Sequence, residues 1–226
     1  MKLTLIGNGI MAQSLARGLI KNHEVEIIGR DIDKLKNIQE KMPQIKIKVL
    51  EDHEDITNKN VLFCVKPYAL QSVSARLTGN ANILLSILAG TKLETLRKQI
   101  KAKHYIRTMP NIAASVQNST TTITGDNEAK IIAMEIFSSI GQAIWVNTEN
   151  QLDIATAIAG SGPAYLALIA EALADGAVKA GLERHLSTQL VQGLFSGTAS
   201  LLKHTHPAII KDSVMSPGGT TAAGYA

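Results

Sequence analysis

Cysteine is almost absent from this 226-residue chain. Cys64 stands alone, so no internal disulfide can form, and its place inside the apolar run VLFCV suits a buried strand residue in a reducing compartment. Aromatic residues amount to 4%, too few for the stacking surfaces that hold nucleic-acid bases. Charge of one sign is not concentrated either: the net charge is +4 and the Lys and Arg are scattered, so no nucleic-acid partner is expected. His204 and His206 stand two apart without further clustered ligands and read as surface or interface residues, so no metal is expected. An uninterrupted membrane run is missing too. Gly7, Asn8 and Gly9 break the apolar N-terminus where a signal-peptide core needs continuity, and the most apolar long stretch, 157–174, carries Gly160, Pro163 and Glu171. The expectation is a cytoplasmic protein without a membrane partner.

What is present is alternation. Over residues 1–147, short runs such as KLTLIG, EVEIIGR, IKIKVL, VLFCVKP, NILLSILAG, HYIRTMPN, TTTIT and AIWV are separated by amphipathic segments. Strands that are apolar on nearly every residue are buried on both faces, and alternation with helices makes the sheet largely parallel. The helix after NILLSILAG is expected to open at Thr91, with Glu94 three residues on completing a reciprocal cap. From about Thr148 no strand pattern remains. The residues there are rich in Ala and Gly at helical spacing, which lets helices approach closely in a bundle or an intersubunit interface. Pro163 must bend or restart a helix. The fold class is therefore α/β, a Rossmann-type doubly wound sheet over 1–147, followed by an all-α domain over 148–226.

The first turn carries the cofactor signal. Gly7, Gly9 and Ala12 form G-x-G-x-x-A directly between a strand and a helix, which permits a tight turn, close approach of a pyrophosphate, and close packing of helix on sheet. At the end of the second strand, Arg30 occupies the position where an NAD-selective fold has an acid. Its guanidinium can pair with a 2′-phosphate, with help from Lys34, so NADPH is the expected cofactor; Asp31, one residue later, keeps NADH possible. Lys66, at the edge of another strand, suits a phosphate, a ribose or plain solvent. Near the other end, SPGGTT exposes amides and two hydroxyls suited to a small anion.

IGNGIMAQSLARGL, VLFCVKP, LLSILAGTKLETL, RTMPN, TAIAGSGPAYLALIAEALADGAVKAGL and KDSVMSPGGTTAAG together resemble the pyrroline-5-carboxylate reductases, and GSGPAY followed by SPGGTT is the most restrictive pair. The resemblance implies NAD(P)H-dependent reduction of 1-pyrroline-5-carboxylate to L-proline, the last step of proline biosynthesis, by a homodimer or a larger ring of dimers. It places the cofactor against Gly7, Asn8, Gly9, Ile10, Met11, Ala12, Arg30, Val65, Lys66, Pro67, Ala89 and Gly90, with Asn111 near the nicotinamide. The substrate carboxylate falls to Ser213, Ser216, Gly218, Gly219, Thr220 and Thr221, and Thr221 is the catalytic residue that reaches the ring nitrogen. Two departures stand out. Ala159 replaces a serine common in the family, and relatives continue some way past SPGGTT, so the helical domain is expected to be truncated. Two other readings stay open, a related dehydrogenase acting on a hydroxy acid and a non-catalytic NADPH-binding redox sensor.

Overall fold

The computed structural model describes residues Met1–Tyr225. The chain begins β1 (Lys2–Ile6), α1 (Ile10–Leu19), β2 (Glu24–Gly29), α2 (Ile32–Lys41), β3 (Lys46–Val49) and β4 (Glu54–Asp55). It continues β5 (Asn60–Phe63), α3 (Leu70–Ser74), β6 (Leu77–Thr78), β7 (Ala81–Ser86), α4 (Leu93–Gln99), β8 (Ala102–Met109), β9 (Ser119–Gly125), α5 (Lys130–Ser138) and β10 (Gly141–Trp145). Helices follow: α6 (Glu149–Ala155), a π-helical turn over Thr156–Gly160, α7 (Gly162–Lys179), α8 (Arg184–Leu201), α9 (Pro207–Ser213) and α10 (Thr220–Tyr225).

Eight strands form one sheet in the order β10-β9-β8-β7-β5-β1-β2-β3, parallel throughout except for the antiparallel pair β8 and β9. Each corresponds to one of the eight runs read from the sequence. The physical reason is the two-residue period. Leu3, Leu5, Ile27, Leu62, Ile83 and Leu85 point to one face, where they meet Leu15, Leu19 and Leu35 of α1 and α2 and Phe137 of α5. Their neighbours Ile6, Ile28, Val61, Phe63 and Leu84 point to the other face, against Leu70 and Val73 of α3 and Leu96 of α4. Covering both faces takes most residues of the central strands out of water, and a fully buried Leu, Ile or Phe contributes roughly 1.5–3 kcal/mol. On α1 the buried Ala12, Leu15, Ala16 and Leu19 recur at helical spacing, so one stripe faces the sheet. The order also fixes the site: β2 and β3 extend the sheet on one side of β1, and β5 and β7 extend it on the other. The topological switch point, where such sheets bind ligands beyond the strand ends, therefore lies beside β1.

Two local expectations change. The reciprocal cap at Thr91 does not form: α4 starts at Leu93 with Lys92 as an uncapping N-cap, and the Leu93 amide donates instead to Glu149 Oε1 at 2.9 Å. The acid comes from α6, the first turn of the helical segment. Beyond the eight runs, β4 and β6 form a separate two-residue parallel pair.

Glu149 belongs to a larger ionic knot. Arg107 on β8 is 1% exposed, and its guanidinium donates to Glu149 Oε1 and to Asp153 Oδ1, each at 2.8 Å. Lys92 Nζ reaches Asp153 Oδ2 at 2.6 Å, and this hydrogen bond, followed by those from Arg107, holds the Asp153 carboxyl below the usual carboxylate range. A buried guanidinium is tolerable only when its donors are satisfied, so α6 is bound to β8 by the charge it neutralises. One compact unit accordingly runs Met1–Pro163 and takes in α6 and the π-helical turn; a second begins at Ala164.

In the second unit, Ala174 and Ser187 are the buried side chains among the described residues. Leu166, Leu168, Ile169 and Leu173 on α7 are exposed, as are Leu186, Leu190, Leu194 and Leu201 on α8. The helical run Glu149–Lys179 is long and apolar enough, by length and composition, to cross a membrane. Glu171 and Asp175 lie on it, and Asp175 pairs with Arg184 at 2.5 Å.

Candidate functional site

A cleft of about 660 Å³ opens at the carboxyl ends of β1, β2, β5 and β7. Gly7 ends β1 at φ +121°, a region closed to most side chains, and a Cβ there would lie 2.7 Å from the Cys64 carbonyl oxygen. Its amide donates to the Ile28 carbonyl at 2.8 Å. The turn is thereby wedged between β2 and β5, and its tip is delivered to the mouth of the cleft. Gly9 is the N-cap of α1, where no side chain caps the helix and no acid occupies the first turn. A Cβ on Gly9 would meet nothing within 4 Å. The first amides of the helix therefore point into open space without a partner from the chain. Beside them, Asn8 Nδ2 is buried without a hydrogen-bond acceptor. Unmatched donors at a positive helix end fit a pyrophosphate, so the residues present suit a dinucleotide.

The end of β2 carries the two candidates for cofactor choice, Arg30 and Asp31. Arg30 lines the cleft. Asp31 is the N-cap of α2, and its carboxylate accepts from the amides of Asp33 and Lys34 at 3.1 Å each, with Lys34 Nζ 3.5 Å away. The backbone bond from Lys34 is the main reason its carboxyl lies below the usual range. Both amide bonds fall on Oδ1, and the side chain is 44% exposed, so Oδ2 keeps acceptor capacity.

Asn8, Ile10, Met11, Val65, Lys66, Pro67 and Ala89 also line the cleft. Lys66 precedes a single 3-10 turn, Pro67–Ala69. Ala12 is fully buried under the first turn of α1, and Gly90 follows Ala89 at φ +68°. Asn111 is engaged elsewhere. Its side-chain oxygen accepts from the Ala113 amide at 3.0 Å, and Nδ2 donates to the Ala159 carbonyl at 2.9 Å, tying the π-helical turn to the loop after β8. Its side chain is 8% exposed, and one of the two Nδ2 protons is committed to that carbonyl. Cys64 also borders the cleft, and burial pushes its thiol pKa well above the usual value, so it supplies no nucleophile. Sequence reasoning passed over Leu50, Tyr68 and Leu88, which share the lining. Leu50 and Leu88 lie just past strand ends and look like ordinary core.

In the second unit the predicted anion segment is a turn between α9 and α10. Ser213 Oγ donates back to the Ile210 carbonyl at 2.8 Å. Gly218 adopts φ +69°, and the Gly219 amide donates to the Ser216 carbonyl at 3.0 Å, so that amide is engaged within the turn. Thr220 and Thr221 are the first two residues of α10, and both are exposed.

Two family models match the chain: pyrroline-5-carboxylate reductase dimerisation over residues 149–226, and NADP oxidoreductase coenzyme F420-dependent over residues 2–90. A pyrroline-5-carboxylate reductase from Synechocystis is 41% identical over 100% of this chain and 88% of its own length. Among solved structures, 1-pyrroline-5-carboxylate reductase from Streptococcus pyogenes has a TM-score of 0.85 at 30% identity, covering 100% of this chain and 89% of that one. A Plasmodium falciparum pyrroline carboxylate reductase with NADP bound has a TM-score of 0.82 at 28% identity, with the same two coverages.

Proposed function

We infer the activity from one premise, that the chain belongs to the pyrroline-5-carboxylate reductase family: it reduces 1-pyrroline-5-carboxylate to L-proline with NADPH, as a homo-oligomer. The observation that carries this reading is the uncapped, acid-free start of α1 at the switch point, on the same chain as the GSGPAY and SPGGTT segments. Hydride addition to a C=N bond needs a protonated nitrogen, an anchored carboxylate, and no covalent nucleophile. Bound NADPH supplies the hydride. The chain's own residues bind and orient.

Gly7, Asn8, Gly9, Ile10, Met11 and Ala12 form the pyrophosphate turn, with Val65, Lys66, Pro67, Ala89 and Gly90 completing the cofactor edge. Arg30 takes the 2′-phosphate. Arg30 at the cleft favours NADPH over NADH, because its guanidinium has a 2′-phosphate to pair with only in NADPH. Asn111 acts from behind, holding the π-helical turn by its carbonyl. Ser216, Gly218 and Thr220 receive the substrate carboxylate, with the Gly219 amide closing the turn that presents them and Ser213 steadying the end of α9, and Thr221 Oγ1 accepts a hydrogen bond from the protonated ring nitrogen. The functional boundary lies near 147, where strands cease, and the assembly is a homodimer or a ring of such dimers.

The test is NADPH consumption by the purified protein with 1-pyrroline-5-carboxylate. Thr221→Ala is expected to lower kcat about 10- to 100-fold, the worth of a hydrogen bond to a charged group, while the Kd for NADPH stays unchanged. Turnover unaffected by that substitution would remove Thr221 from the reaction, and no turnover by the intact protein would remove the activity.

A further inference from the structure

Tyr68 has no role in the fold. It is 86% exposed, the highest value among the large apolar side chains of the described residues, and none of the hydrogen bonds or cation–π contacts of those residues includes it. In a chain with 4% aromatics, leaving a ring in water is an expense that folding does not explain. Its backbone, however, is well held. Pro67 fixes φ on one side, and Ala69, Leu70 and Val73 on the other are 7%, 7% and 3% exposed. The ring is therefore presented on a rigid turn at the rim of the cleft, and it is the aromatic side chain among the lining residues.

We propose that Tyr68 is the platform on which the adenine of NADPH stacks. The placement follows from the shape of the ligand and rests on the cofactor reading above. The pyrophosphate belongs at the Gly7–Met11 turn, and the 2′-phosphate belongs at Arg30 on the end of β2. The adenine is attached to the same ribose as that phosphate, so it must lie in the part of the cleft that Arg30 shares with its remaining walls. Those walls include Leu50, just past β3, and Tyr68, just past β5. Leu50 offers an apolar surface and Tyr68 a π face; any base presents a flat face to such a ring, and stacking needs no hydrogen-bond partner from the protein.

Calorimetric titration of the full-length protein with NADPH, and separately with adenosine 2′,5′-bisphosphate, tests this. Tyr68→Ala is expected to weaken both ligands about 10-fold, toward the low end of the range for base–aromatic stacking because the ring is open to solvent. Tyr68→Phe, which keeps the face and loses the hydroxyl, is expected to bind both within about twofold of wild type. Reduced nicotinamide mononucleotide, which lacks adenine, is expected to bind wild type and Tyr68→Ala alike. Equal affinity of wild type and Tyr68→Ala for adenosine 2′,5′-bisphosphate overturns the proposal and leaves the cofactor reading intact. Equal losses in the Ala and Phe variants also overturn it, since the hydroxyl would then be the contact. Failure of wild type to bind NADPH overturns both.

Discussion

The two units of this chain solve the burial problem in opposite ways. Of the buried apolar side chains among the described residues, all but Ala174 lie before Pro163, most of them on the two faces of one sheet. From Ala164 onward the helices still carry Leu and Ile, but in stripes that face water in the single chain: Leu186, Leu190 and Leu194 recur every four residues along α8. A region with its own core contains its own reason to fold. A region without one takes its stability from whatever covers it, and here the family model over 149–226 describes that cover as dimerisation. The same contrast explains why Glu149–Lys179 passes for a membrane span by length and composition. A helix that must be covered by protein on several sides resembles one that must be covered by lipid.

The sharpest way to break the contrast is to charge the exposed stripe. Leu190→Asp with Leu194→Asp is expected to raise the dissociation constant of the assembly by ~1,000-fold or more, because two carboxylates would have to be desolvated at an apolar contact. Light scattering should show single chains, with NADPH still bound to the first unit. Retention of the assembly would place the contact elsewhere. In the self-sufficient unit the expected response has another signature. Phe137→Ala removes a fully buried side chain of α5 and should cost about 3–5 kcal/mol in urea unfolding, independent of protein concentration. A concentration-dependent loss would mean that this core also depends on assembly.

The smallest effect probes the knot around Arg107. The Asp153 carboxyl titrates lower in the folded chain than in the unfolded one, first because of Lys92. Such a group adds stability that is present above its unfolded pKa and lost as pH falls through the folded value. Asp153→Asn should therefore lower the unfolding free energy at neutral pH by ~1 kcal/mol or less, because its side chain is 36% exposed. The difference from wild type should shrink as pH falls below the usual aspartate range and Asp153 protonates in the folded chain. A gap that persists in acid would assign the effect to packing.

The eight main strands were readable because burial on both faces demands apolar residues at nearly every position, a signal carried within each segment. The paired strands β4 and β6 were not, since two residues such as Glu54–Asp55 contain no period. The cap of α4 was misread for a related reason. Thr91 and Glu94 have the right local spacing, but the Leu93 amide is satisfied by Glu149, 56 residues away, and no window along the chain contains both partners. The candidate site divides along the same line. The glycine turn announces itself through backbone requirements, whereas Tyr68 becomes conspicuous only when its exposure is known. Asn111 shows the reverse case: its motif suggested a ligand contact, and the structure adds a second task that the motif did not announce, joining its own turn to the Ala159 carbonyl.

The solitary thiol offers a practical opening. Cys64 is packed against the Gly7 turn, and burial keeps it in its unreactive protonated form. Maleimide and disulfide reagents should therefore find the native chain silent. A second cysteine engineered on the outer surface of α8 would then accept a fluorophore alone, giving a reporter of subunit exchange without any need to strip out native thiols first.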